Sequence, residues 1–146
     1  MQNILVAVAK ESSAQTLVEH AARFAAAFGA KLWLIHIAPP DPDFVGFDVG
    51  PQSVRDQEAA EMREEHRFVQ TFARQLTARD IKAEGLLIQG AMVETLLEEA
   101  QKLACEMIVV GSHQHSTLAN LFSESTSSSL FRKSKIPLLV VPLEDA

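Results

Sequence analysis

The chain has 146 residues, a length for one compact domain spanning 1–146, and its 47% apolar and 22% charged residues describe a globular rather than a disordered protein. Thirteen lysines and arginines against 19 aspartates and glutamates leave a net charge of −6, which argues against the basic surface that nucleic acid or an anionic membrane requires. Cys105 is the single cysteine, so an internal disulfide and a thiolate cluster are excluded; with no basic leader before Ile4 and no apolar stretch of membrane-spanning length, the expected setting is the cytoplasm, without membrane insertion.

Ile4-Leu5-Val6-Ala7-Val8-Ala9 is apolar without alternation, the mark of a strand covered on both faces. Ser12, with Gln15 three residues on, reads as a capping box opening a helix whose apolar side carries Leu17, Ala21, Phe24, Ala25 and Phe28, and Gly29 stops it. A second strand follows over Leu32–Ile37. The prolines and glycines of Pro39–Pro51 exclude helix and central strand. A long helix is predicted from about Ser53 to Arg79, with Ala59, Met62, Val69, Phe72 and Leu76 on its apolar side and His66 half-buried in the same stripe. Ala83–Gln89 gives a third strand ended by Gly90, and Val93, Leu96, Leu97, Ala100 and Leu103 mark the next helix. Met107–Val110 is a short buried strand ended by Gly111, Leu118–Lys133 is mostly helical, and Pro137–Pro142 closes the chain as a strand.

Strands alternating with helices at this pitch predict an α/β fold, a doubly wound parallel sheet with helices on both faces. In such sheets ligands bind beyond the carboxyl ends of the strands, where the strand order reverses. Ala9, Gly90 and Gly111 stand at three such ends. For Gly90 alone a tight turn is the better account. His113 and His115 lie two apart, but no further histidine or cysteine adjoins them to complete a metal site, and none is expected. Cys105, beside Glu106 and with no basic neighbour, reads as a buried, inert thiol. No nucleophile elbow, Walker motif or dinucleotide fingerprint is present, so no catalytic residues are assigned.

Around Gly111 the sequence becomes specific. Ile108-Val109-Val110-Gly111-Ser112-His113, with Ile4-Leu5-Val6-Ala7-Val8 at the start and Ile136-Pro137-Leu138-Leu139-Val140-Val141-Pro142 at the end, resembles the universal stress protein family over the full length. That family ends its fourth strand in Gly-Ser-His-Gly and opens its last helix, nine residues on, with Gly-Ser or Gly-Thr. The resemblance implies a five-stranded sheet, layered as in adenine nucleotide alpha hydrolase-like and flavodoxin-like folds, with the first and fourth strands flanking the switch point. It also implies a nucleotide pocket. Carried over, the pocket positions are Ala7, Val8, Ala9, Ile37, Gly90, Val110, Gly111, His113, Gln114, Ser123, Glu124, Ser125 and Thr126.

Three of these depart from the family pattern. Ala9 stands where nucleotide-binding members carry an aspartate, Gln114 replaces the second glycine, and Glu124 replaces the third; Gly111 and Ser125 keep theirs. A carboxylate beside a triphosphate is repulsive by about 1 kcal/mol in a partly solvated site. The expectation is therefore a dimeric, non-enzymatic stress-response module without a tightly held cofactor. The alternative is a member binding ATP or AMP with Mg, with at most slow hydrolysis, that uses Ser123, Ser125, Thr126 and Ser127 in place of glycines. A flavodoxin-like redox carrier fits the fold alone. The Gly111–His115 loop and the run Phe44–Val49 are similar to the subgroup typified by universal stress protein A, which is associated with dimers lacking nucleotide. The apolar closing strand, Pro137 to Pro142, is expected at a sheet edge, where an uncovered edge is an aggregation hazard. The resemblance implies that a second subunit covers it. Phe44 and Phe47 are open between a contact surface for a protein partner and packing onto the domain.

Overall fold

The computed structural model describes residues 1–39, 52–113 and 124–144. Nine elements alternate: β1 (Asn3–Ala7), α1 (Ala14–Phe28), β2 (Lys31–Ala38), α2 (Gln52–Thr77), β3 (Ala83–Gln89), α3 (Met92–Lys102), β4 (Met107–His113), α4 (Glu124–Lys133) and β5 (Leu138–Leu143). The strands form one parallel sheet in the order β3-β2-β1-β4-β5. This is the expected α/β, doubly wound five-stranded sheet. Its cause lies in β1, where Ile4, Leu5 and Val6 have no exposed surface at all. Such a strand needs an apolar layer on each face. Ile4 and Val6 pack with α1 and α2 residues such as Leu17, Ala21, Val69 and Leu76. Leu5 and Ala7 pack with Val93, Leu96 and Ala100 of α3 and Leu130 of α4.

Helix ends and close approaches set the spacing of these layers. Gly29 ends α1 in the left-handed region, φ +66°, and its N–H donates to the Ala25 carbonyl. Gly85 lets α2 lie directly on β3, since a Cβ there would come within 2.8 Å of the Val69 backbone. Arg79 and Glu19, 2.6 Å apart, join the end of α2 to α1.

Several boundaries differ from expectation for local reasons. The α1 N-cap is Ser13 rather than Ser12, and its hydroxyl donates to the Glu11 carboxylate at 2.9 Å instead of capping the helix. Phe28 is 52% exposed, past the last turn of α1 that faces the core. β1 ends at Ala7, although the Val8 N–H still donates to the Ile35 carbonyl. β4 does not stop at Gly111 but continues to His113, because Gly111, Ser112 and His113 pair with Val141, Pro142 and Leu143 of β5. The expected loop 40–51, the beginning of the helix predicted from Leu118, Gln114 and Ser123 lie outside the described residues.

Replacing Gly85 with alanine forces α2 off β3. We expect a loss of about 1–3 kcal/mol of stability, the usual cost of overpacking, measured by urea denaturation.

Candidate functional site

The pairing of β1 and β4 stops at Val6 opposite Val109. Beyond that point β1 stays with β2, through Ala7 opposite Ile35, while β4 stays with β5 as far as His113. The two central strands therefore part company, and a crevice opens between Ala7–Ala9 on one side and Val110–His113 on the other. This is the switch point of the sheet.

The backbone dominates its walls. Ala7, Val8 and Val110 are buried, as is Ile37 one strand further out, so their side chains belong to the core. Ala9 is half-buried. Gly90 ends β3, two strands from β1, roughly 10 Å away by strand spacing. Its missing side chain has a packing reason, since a Cβ would meet Thr95 Oγ1 of α3 at 2.4 Å. Glu124 is the first residue of α4, with Arg132 and Lys133 in the last turn. Ser125 and Thr126 follow in the first turn.

Gly111 has a similar explanation. A Cβ placed on it would come within 2.3 Å of Leu143 Cδ1 and near Leu17 of α1. The space that the glycine leaves is taken by the last residue of β5.

A pair of residues that the sequence reading passed over ties this end of the sheet together. His36 is the one buried residue with a polar side chain among the described residues. Its Nδ1 lies 2.8 Å from the Val8 carbonyl oxygen, which only accepts, so Nδ1 carries a proton. Its Nε2 lies 3.1 Å from Glu65 Oε2 of α2, and that contact is attractive when a second proton lies between the two atoms. Next to it, Lys10 reaches Glu64 at 3.3 Å. Two consecutive α2 carboxylates thus hold the exit of β1. The signal was present in Leu34-Ile35-His36-Ile37, because a histidine inside a buried run must find partners for both nitrogens. Histidine elsewhere is less constrained: His66 is half-buried, as expected, with the Gln70 amide 3.1 Å from its Nε2.

Cys105 is buried just before β4, and burial, with help from the Glu106 charge, pushes its thiol up to about 12. No group of three or more metal-ligating side chains occurs among the described residues, and no described helix is long and apolar enough to cross a membrane.

A doubly wound α/β sheet with a crevice at the β1/β4 switch point is the class of structure this chain adopts. A family model described as the universal stress protein family matches residues 1–142, and the chain belongs to that family. The universal stress protein in QAH/OAS sulfhydrylase 3'region of Thermus aquaticus is 29% identical over 131 residues, covering 84% of this chain and 90% of that protein. Stress response protein NhaX of Bacillus subtilis is 36% identical over 55 residues, 38% of this chain and 33% of that protein, so the match spans a third of the relative's length. Among solved structures, the hypothetical protein MJ0577 superposes with a TM-score of 0.73 at 19% identity, over 99% of this chain and 98% of that one. A universal stress protein in complex with cAMP gives a TM-score of 0.63 at 23% identity, over 97% and 96%. The universal stress protein from Archaeoglobus fulgidus in complex with dAMP gives 0.62 at 12% identity, over 97% of each chain.

Replacing His36 with alanine leaves the Val8 carbonyl without its side-chain donor and Glu65 without its partner. A loss of about 1–3 kcal/mol is expected in urea denaturation. Glu65→Gln keeps a hydrogen-bonding group opposite His36 Nε2, so it should cost less than the alanine.

Proposed function

We propose that the chain is a dimeric regulatory binding protein of the universal stress protein family that does not hold ATP tightly and performs no chemistry of its own. The observation that carries this reading is the filled space at Gly111. The glycine that in nucleotide-binding members leaves room for phosphates is here packed against Leu143. Ala9 supplies no carboxylate to a ribose or adenine, and the adjacent Val8 carbonyl is already engaged by His36. Glu124 opens α4, which weakens that helix start as an anion site. Under this reading the chain works in the cytoplasm through protein partners.

A second reading keeps the crevice as an adenine mononucleotide site. It is favoured by the likeness in fold to proteins solved with cAMP and with dAMP. A monophosphate asks for fewer phosphate contacts than a triphosphate, so it tolerates Gln114 and Glu124 better. Calorimetric titration with Mg-ATP, AMP and cAMP separates the two. The first reading expects no heat from Mg-ATP, and micromolar affinity in the triple variant Ala9→Asp, Gln114→Gly, Glu124→Gly. Micromolar Mg-ATP binding by the wild type would overturn it, and binding of AMP or cAMP alone would establish the second.

For the dimer, β5 is the proposed seam. It pairs with β4 on one side only, Val140 on it is 39% exposed, and Phe131 on α4 is 58% exposed. Antiparallel pairing with the same strand of a second copy would cover this edge about a two-fold axis. Val140→Lys should then convert a dimer into a monomer in light scattering while leaving the circular dichroism spectrum unchanged.

A further inference from the structure

The opposite edge of the sheet carries a different feature. Among the described residues β3 pairs only with β2, so the outward N–H and C=O groups of Ala83–Gln89 have no described strand to bond. Alongside runs a groove of about 700 Å³ between β3 and α2. Its floor is made of small residues, Ala73, Ala83 and Gly85 among them, and its helix wall presents His66, Gln70 and Arg74. These three fall four residues apart and so form a single ridge. Successive members of such a ridge rise by about 6 Å. Alternate residues of an extended strand advance by about 6.7 Å. A chain lying in the groove would therefore present every second side chain to successive members of the ridge.

The charges state what those side chains should be. Arg74 is exposed and has no ion-pair partner among the described residues. Glu84, the carboxylate on the strand side, is already held by Lys31 at 2.9 Å. The Gln70 amide donates to His66 Nε2, which puts the neutral ring's proton on Nδ1 and leaves that nitrogen as a donor. With Glu84 engaged by Lys31, Arg74 is the groove's unneutralised charge among the described residues, in a chain that is acidic as a whole. The groove thus offers edge-strand backbone groups on one wall and, on the other, donors with a guanidinium that has no ion-pair partner among the described residues. Strand addition against an edge, with alternate side chains read by a flanking wall, is a general mode of peptide capture.

We propose that the β3–α2 groove binds an extended acidic peptide segment of a partner protein, which adds to the sheet beside β3 and sets alternate carboxylates against Arg74 and the His66–Gln70 pair. The site is independent of the crevice at the switch point and of the β5 edge.

The test is titration of the 15N-labelled full chain with the peptide acetyl-Val-Glu-Val-Glu-Val-Thr-amide, its lysine-for-glutamate counterpart, and a version of the first with N-methylated backbone. Amide shifts confined to Ala83–Gln89 and to the His66–Thr77 part of α2 are expected for the glutamate peptide alone. Arg74→Glu should weaken that peptide by about tenfold or more, the scale of a lost charge-assisted contact, with the thermal midpoint unchanged. No shifts at millimolar peptide, an equal response to the lysine peptide, or equal binding of the N-methylated peptide would each overturn the proposal. Shifts at β3 that appear on concentrating the chain without peptide would also overturn it, by assigning the edge to a second copy.

Discussion

Everything in this molecule follows from burying β1 on both faces. A strand whose Ile4, Leu5 and Val6 expose nothing needs two apolar layers, and a chain of this length supplies them by winding helices alternately to either side. Because β1 sits in the middle, the chain must first build outward to β2 and β3 and then return past β1 to place β4 and β5. That return creates the switch point. The switch point is thus a by-product of burying β1.

A second set of contacts ties down the ends of β1 and β4. His36 and Lys10 bind the exit of β1 to Glu65 and Glu64 on α2, and Leu143 occupies the space beside Gly111. Gly111 thus has a packing role, and the presence of a glycine in a motif does not by itself reveal its role.

The architecture was readable in the sequence because its signals are local. Continuous apolar runs marked β1, β2 and β4, Gly29 marked the end of α1, and the alternation of elements gave the parallel sheet. The misjudged boundaries turn on contacts that the spacing of residues does not announce, one of them distant and one local. β4 runs past Gly111 only because β5 continues beside it, and Ser13 abandons its capping role for Glu11. The candidate site was less legible for the same reason. Motif spacing located Ala9 and Gly111, but the pairing of His36 with Val8 and Glu65 joins β2, β1 and α2. Nothing in the spacing of residues 8, 36 and 65 announces it. Nor does the sequence disclose the β3–α2 groove, which exists because Gly85 lets a helix settle at the sheet edge.

Cys105 has a consequence for how the folded chain meets oxidants. Peroxides and disulfides attack thiolates, and a thiol pushed up to about 12 is protonated at any pH a cell reaches. Being the only sulfhydryl in the chain, and enclosed by the core, it has no resolving partner within the same molecule. The folded protein is therefore deaf to oxidants at its cysteine.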